Sequence, residues 1–559
     1  MKRRVAAPLI GWAAFAAWYF LFAFQPGIVR SDDFGYLRSV LGTLRAGRPF
    51  TDDWLEPYAA VFSSACALLY RLTGRFILST WGLQALCALV LYPLLYRLFA
   101  SRLRPRHAAL LTLAVATFPV LLAKEGDFHA GICTLDLFLV SLLLFETGHM
   151  GWFFAAAFLA FANRQNQVCL LILPLWMGVV GRPGPGANMP KVILPLLYAA
   201  AVAALIATMN GTYASAHVGY RHAGLAPLAI AGFKALVAGC LMSLAWLSAF
   251  SLLTGNAPGL RRNKRRWIFP AVASLVLLAF LPWWNESLLR VDTPMFGYLG
   301  WPQVNRVLPW LLLASFWFLD VRLLRPSPYL ALIGGYILIA SLRGIWWDYY
   351  FMEIAVLGLL LALQTPGAGR VVNPVDRREP AGMDLSRPGL VFLGVLLAAN
   401  LAYAYLLKVQ SDKQRLAVTV LENLDRQGRV SVDRMTGATF GYLGWKLFGY
   451  FTAHEGRSYG ELADFLGYVR KDRVVVETEL PWRRSFKTGL PPGAEMIESG
   501  FHRIGFATLR YRVVDLHGAG ADTQVQGRLM TLDPSAFHSP RYPLNDREWQ
   551  ELADSLRKR

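Results

Sequence analysis

The stretch FILSTWGLQALCALVLYPLLYRLF, residues 76–99, decides the fold class. It contains one charged residue, Arg97, and it is longer than the ~20 residues that a helix needs to cross the ~30 Å hydrocarbon core of a bilayer. A helix that is apolar on every face belongs inside a large protein or in a membrane. The stretch therefore predicts a membrane-spanning helix.

Comparable apolar runs occur on both sides of this stretch. They lie at about 8–24, 107–123, 130–146, 151–162, 167–181, 192–209, 228–254, 267–284, 306–324, 328–343, 350–364 and 389–407. Together they predict a mainly α, polytopic membrane protein with about thirteen transmembrane helices. The polar string Asn163–Gln167 separates two short runs, so it is either a turn between two helices or faces a wet cavity in the protein.

The charge of the chain supports a membrane location. Its 56 Lys and Arg exceed its 36 Asp and Glu, which gives +20, a value that in a soluble protein indicates a polyanionic partner. However, 55% of the residues are hydrophobic, only 16% are charged and the mean hydropathy is +0.38, which excludes a soluble nucleic-acid-binding protein. Lys2–Arg4 predict a cytoplasmic N-terminus, and no small-residue cleavage site follows the first apolar run, which predicts a retained signal-anchor helix. A count of thirteen spans also places the basic cluster 261–266 in the cytoplasm.

The composition becomes polar from Lys408 onward. We therefore expect a transmembrane domain at 1–407, with its first outer loop at 26–75, and a soluble extracytoplasmic domain at 408–559. A helical stretch at 411–427 and strand-like runs at Val474–Val476 and Thr508–Val514 predict a small α/β or α+β fold. The five cysteines show no C-x-x-C spacing, so neither disulfides nor a zinc site are expected.

Two acidic pairs stand in the first outer loop, Asp32-Asp33 and Asp52-Asp53. A carboxylate next to the membrane surface is suited to act as general base on a hydroxyl group. The alternative is that Asp32 or Asp33 only caps a helix that begins near Phe34.

This loop resembles that of the GT-C glycosyltransferases, which include protein O-mannosyltransferases and the lipid A aminoarabinose transferase. The resemblance rests on one N-terminal helix, an outer Asp-Asp, an amphipathic stretch, Gly47–Phe50 and Trp54–Tyr58. It extends over 1–407 and is strongest in the first 100 residues. It implies an inverting transfer of a monosaccharide from a polyprenyl-phosphate carrier to an acceptor hydroxyl on the outer face, with Asp32 as general base and Asp33 beside it.

The second outer loop contains Lys124, Asp127 and His129. These residues are candidates for binding the lipid phosphate and the sugar, while snorkelling of Lys124 to the interface is the alternative. Asp32, Asp127 and His129 could together hold a divalent metal. The resemblance does not require one, so no cofactor is expected.

Arg343, Tyr349 and Tyr350 lie at a third outer position and resemble the loop that holds the lipid phosphate in GT-C enzymes. An interfacial aromatic belt is the alternative for such a run. Arg164 is a further candidate for substrate binding, because a charge at this depth is costly unless it faces a site. The alternative is an ordinary arginine in a short loop.

The expected partners are a polyprenyl-phosphate-linked sugar, a lipid, glycan or protein acceptor, and membrane lipids, without nucleic acid. The resemblance implies the bacterial inner membrane, with the C-terminal domain periplasmic. A flippase or transporter for lipid-linked sugars would instead place its charges near the bilayer midplane. An O-antigen polymerase or ligase shares multiple spans and basic outer loops, but the acidic pair directly after the first helix favours GT-C.

Overall fold

The computed structural model describes most of the apolar runs and part of the polar C-terminal region. The described residues are 2–24, 26, 33–49, 59–118, 121, 130–180, 225–254, 268–284, 304–342, 351–363, 383–428, 474–479, 495–504 and 507–515. Within these ranges the protein is mainly helical, with one small sheet. The coarse fold prediction, a mainly helical chain with apolar helices, is thereby confirmed.

Fourteen α-helices lie in the described part of the chain. They are α1 (Lys2–Trp18, continued by a π-helical turn Tyr19–Ala23), α2 (Asp33–Ala46), α3 (Ala60–Thr73), α4 (Phe76–Ala100), α5 (Pro105–Ala116), α6 (Gly131–Glu146), α7 (Met150–Asn163), α8 (Ile172–Val180), α9 (Leu225–Thr254), α10 (Ile268–Trp284), α11 (Val304–Phe316), α12 (Pro328–Leu342), α13 (Phe351–Ala362) and α14 (Arg387–Arg426). Short 3₁₀ helices occupy Gln165–Leu171 and Val321–Leu324.

Four segments in the described ranges are long and apolar enough to cross a bilayer: Ala6–Ala23, Phe76–Ala100, Gly232–Leu253 and Arg387–Leu406. The other apolar helices are shorter, and two predicted runs end early for local reasons. Helix α5 ends at Ala116 because Pro119 follows and disfavours helical geometry in the residue before it. Helix α11 ends at Phe316. Further along the predicted run, the Asp320 side chain accepts a hydrogen bond from the backbone N–H of Arg322, at the start of the short 3₁₀ helix Val321–Leu324.

Helix α6 packs between α4 and α7, and α12 packs against α8, α9 and α13. Their apolar side chains join one core that extends from Phe15 in α1 to Ala404 in α14. A second core lies beside it, where Leu37, Val40 and Leu44 of α2 cluster with residues of α3, α4 and the start of α6. Helices α2 and α3 thus form a layer on one end of the helix bundle.

Helix α14 is one continuous helix of 40 residues. It joins the predicted span 389–407 to the predicted helix at 411–427, because no Gly or Pro interrupts 395–427. Gly428, with φ +66°, follows the helix in the left-handed conformation that glycine tolerates best. The helix therefore continues through residue 408, where the composition changes.

The sheet contains β1 (Val474–Glu479), β2 (Glu495–Ile504) and β3 (Ala507–Asp515). All pairings are antiparallel, in the order β1-β3-β2, and both outer strands pack against α14. The runs at Val474–Val476 and Thr508–Val514 form strands as predicted. Strand β2 was not predicted, since Ser499-Gly500 interrupts its apolar pattern.

Candidate functional site

The polar string after α7 lies inside the protein rather than in contact with lipid. Helix α7 ends at Asn163, and Arg164 is extended before the chain enters the 3₁₀ helix Gln165–Leu171. Asn163, Arg164, Asn166 and Gln167 are all buried. The string is thus a turn between helices that is also enclosed by protein, which suits polar groups at membrane depth.

Asn163 joins three helices at this turn. Its Nδ2 donates to the carbonyl oxygen of Ala130 at 3.2 Å and to Oγ1 of Thr134 at 2.9 Å, both at the start of α6. Its Oδ1 accepts from the backbone N–H of Phe62 in α3 at 3.0 Å. The side chain uses most of its hydrogen-bonding capacity, so it fixes the end of α7 against α3 and α6.

Gln167 is fully buried and bridges two further helices. Its Nε2 donates to Oε1 of Glu353 in α13 at 2.8 Å. Its Oε1 accepts from the hydroxyl of Tyr336 in α12 at 2.7 Å. The amide therefore holds both side chains in one orientation.

Glu353 is a carboxylate in the first turn of α13, and only 2% of its surface is exposed. Its Oε2 has no hydrogen-bond partner among the described residues, although Oε1 has one. The buried guanidinium of Arg164 interacts with it electrostatically. We call Arg164, Gln167, Tyr336 and Glu353 the Glu353 cluster.

The Glu353 cluster reaches from one end of the bundle towards its middle. Tyr336 packs edge-to-face on Phe138, half-way along α6, with ring centroids 6.0 Å apart. Next to Tyr336, Gly335 lets α12 approach the side chains of Ile172 and Cys169 so closely that a Cβ atom would overlap Ile172. Close helix packing thus sets the position of the Tyr336 hydroxyl.

A second polar cluster lies at the opposite end of α6. Arg102, in the turn after α4, donates through Nη2 to Oε1 of Glu146 at 2.6 Å and through Nη1 to Oε2 at 3.4 Å. The Tyr329 hydroxyl, at the start of α12, also donates to Oε1 of Glu146. We call these three residues the Arg102 cluster. Burial alone would lower the pKa of Arg102, but the neighbouring Glu146 carboxylate outweighs burial and raises this pKa above its ordinary value.

The helix that begins at Asp33 shares a core with residues whose backbone is bound by Asn163, the neighbour of Arg164 in the chain. Helix α2 begins at Asp33, and Leu37 one turn later is buried in the same core as Phe62 and Ala130. The backbone of both Phe62 and Ala130 is bound by Asn163, next to Arg164. The expected helix near Phe34 is present, and its first residue is Asp33.

Most of the predicted site residues lie outside the described residues. These are Asp32, Lys124, Asp127, His129, Arg343, Tyr349 and Tyr350, and the side chain of Asp33 belongs with them. Arg164 is described, and it is buried. It interacts electrostatically with Glu353.

Sequence reasoning did not assign Glu353, Gln167 or Tyr336 to a site. Glu353 carried a signal, because it is the only charged residue in 351–363 and an isolated acid in an apolar helix marks a functional position. Tyr336 gave no comparable signal, since tyrosine is common in membrane helices near an interface.

The described ranges contain neither a candidate metal site nor a disulfide bond. No three His, Cys, Asp or Glu residues in these ranges lie close enough to hold a metal ion, while Asp32, Asp127 and His129 fall outside them. All five cysteines are free thiols that form no disulfide bond.

No protein family, curated protein or solved structure matches this chain.

Proposed function

We propose that this protein is a membrane glycosyltransferase of GT-C type that moves a monosaccharide from a polyprenyl-phosphate carrier to an acceptor hydroxyl. The observation that carries the proposal is the Glu353 cluster, in which the buried Arg164 interacts electrostatically with a carboxylate that is hydrogen-bonded through Oε1 but, among the described residues, not through Oε2. Helix α2, which begins at Asp33, shares a core with Phe62 and Ala130, whose backbone is bound by Asn163, the neighbour of Arg164 in the chain. A buried cation in the helix bundle and an acidic pair in the first outer loop suit a reaction that pairs an anionic leaving group with a general base.

In the proposed mechanism, Asp32 removes the proton from the acceptor hydroxyl. The acceptor oxygen then attacks the anomeric carbon from the face opposite the phosphate, and the bond from that carbon to the phosphate oxygen breaks. The configuration at the anomeric carbon is inverted, and the proton stays on Asp32. The polyprenyl phosphate leaves with the electron pair of the broken bond. Arg164, Lys124, Arg343, Tyr349 and Tyr350 are the proposed donors to this phosphate.

We further propose about thirteen spans, with the N-terminus in the cytoplasm of a bacterium and residues 408–559 on the outer face. The Arg102 cluster would then face the cytoplasm, because the loops at that end are rich in Arg. The Glu353 cluster and the acidic pair would face the outer side, where polyprenyl-linked sugars are used.

The test is Asp32→Asn in purified protein, given undecaprenyl-phosphate-linked glucose, mannose or galactose and a crude envelope glycolipid acceptor. We expect transfer to fall by about 10²–10⁴-fold, the range for loss of a general base. Asp52→Asn is the matched control, since it removes a carboxylate from the same loop and should leave transfer within about twofold. Full transfer by folded Asp32→Asn protein would refute Asp32 as the base.

A flippase for lipid-linked sugars is the second candidate, because the Glu353 cluster reaches towards the middle of the bundle. Tyr336 lies seven residues beyond Tyr329 along α12, about 10 Å at 1.5 Å per residue. Reconstitution in vesicles separates the candidates. A flippase moves the sugar lipid across the bilayer unchanged, whereas a transferase consumes it only when acceptor is present.

A further inference from the structure

The two oxygens of the Glu353 carboxylate have different surroundings. Oε1 accepts the hydrogen bond from Gln167 at 2.8 Å, whereas Oε2 is buried and has no partner in the described part of the chain. A buried acceptor without a hydrogen bond costs about 1–3 kcal/mol, and more when it is charged. Such an atom in a native protein calls for an explanation.

A purely structural role does not explain this arrangement. In the Arg102 cluster, both oxygens of Glu146 accept hydrogen bonds, as expected for a carboxylate that only fastens helices together. Gln167 and Tyr336 bind each other and leave Oε2 of Glu353 out of their network. The network therefore orients Glu353 and leaves its buried Oε2 without a hydrogen bond among the described residues.

We propose that Glu353 is a sugar-binding residue, and that its Oε2 accepts a hydrogen bond from a hydroxyl group of the monosaccharide on the donor lipid. This assignment rests on the proposed function. A carboxylate accepts hydrogen bonds and repels phosphate, so its ligand must carry donors such as hydroxyl groups. The buried guanidinium of Arg164, which interacts electrostatically with Glu353, favours an anion in the same region. A monosaccharide attached to a phosphate has both features within a few bonds of each other.

Glu353→Gln tests this role, because it keeps the shape of the side chain and removes its charge. Two probes are compared: undecaprenyl phosphate alone, and undecaprenyl phosphate carrying glucose, mannose or galactose. Their affinities follow from the rise in unfolding temperature as each lipid is titrated into the purified protein. We expect the best sugar-linked lipid to bind about tenfold more weakly to Glu353→Gln, as for one lost charge-assisted hydrogen bond. The bare carrier should bind at least as tightly as to the unaltered protein, because a carboxylate that repels phosphate has been removed.

The exchange variant Gln167→Glu with Glu353→Gln separates ligand binding from packing. It keeps one amide and one carboxylate in contact, so a structural role predicts that it restores what Glu353→Gln loses. A sugar-binding role predicts that sugar-lipid affinity stays about tenfold low, because the carboxylate is no longer at position 353. Restored affinity in the exchange variant would overturn the assignment.

The remaining outcomes distinguish this assignment from the proposed function. If the unaltered protein binds neither the carrier nor any sugar-linked lipid, the proposed function fails and the assignment fails with it. If the carrier binds and the sugar adds no affinity, or if Glu353→Gln weakens both probes equally, only the role of Glu353 is overturned.

Discussion

The Arg102 cluster and the Glu353 cluster both place an arginine and a glutamate between packed helices, yet they differ in how completely their polar atoms are bonded. Arg102 donates to both oxygens of Glu146, and Tyr329 adds another bond. Glu353 uses one oxygen and leaves the other without a partner among the described residues. The Arg102 cluster suits a structural role that holds helices together. The Glu353 cluster suits a site that binds a ligand carrying a hydrogen-bond donor.

The surroundings of the two clusters sharpen this contrast. The Arg102 and Glu146 side chains are each 15% exposed, and nearby Arg104 forms an ion pair with Asp384 at 2.7 Å. Backbone hydrogen bonds between 102–104 and Met383 add to this fastening. Glu353 is more deeply buried, at 2% exposed. The more buried cluster is thus the less completely satisfied one, the reverse of what stability alone would favour.

The largest expected effect is on the Arg102 cluster. Glu146→Gln leaves Arg102 without its counter-charge and replaces one acceptor by an amide donor, so we expect the free energy of unfolding to fall by about 3 kcal/mol. SDS titration in dodecyl maltoside measures this change. Glu353→Gln is the comparison: it also removes a carboxylate that interacts with an arginine, Arg164, but only one of its oxygens is hydrogen-bonded among the described residues, so we expect a smaller loss than at Glu146. A larger loss of unfolding free energy in Glu353→Gln would mean that Glu353 stabilises the fold more than Glu146 does, and would contradict the roles assigned to the two clusters.

Asn163→Ala has the next largest expected effect. The change removes three buried hydrogen bonds that join α3, α6 and α7, so we expect a loss of about 2 kcal/mol in the same titration. Asn163→Asp is the matched variant, since it keeps the acceptor for Phe62 N–H but loses both donated bonds. It should be no more stable than wild type; a stabilised Asp variant would contradict the donor assignment at Ala130 and Thr134.

Gly335→Ala is expected to cost about 1 kcal/mol, because its methyl group would overlap the end of the Ile172 side chain, which would have to leave its present rotamer. Gly334→Ala is the matched control: no atom outside its own helix lies within 4 Å of its Cβ position, so helix propensity should make it neutral or slightly stabilising. Equal stability of the two variants would mean that the close contact does not set this packing.

The sequence predicts the apolar helices well and the Glu353 cluster poorly. Apolar runs such as 76–99 and 228–254 become α4 and α9 almost residue for residue, because a long apolar run in a membrane permits little besides a helix. The Glu353 cluster could not be predicted in this way. Its hydrogen bonds join Gln167 to residues 169 and 186 positions further along the chain, and such pairings depend on how helices pack. Only the isolated charges of Arg164 and Glu353 indicated that part of the site.

The smallest expected effect concerns the ion pair between Lys408 and Asp412, one turn apart on α14 beyond its apolar segment. Its N–O distance of 3.2 Å is close to those of the Arg102 cluster, but 35% of the Lys408 side chain is exposed. Water and salt screen such a pair, so Asp412→Asn should lower the free energy of unfolding by less than about 0.5 kcal/mol. Asp412→Glu, which keeps the charge, is the control. If Asp412→Asn lowered the free energy of unfolding as much as Glu146→Gln does, burial would not explain why the Arg102 cluster stabilises the fold. The contrast between Glu146 and Glu353 would then depend on hydrogen-bond geometry alone.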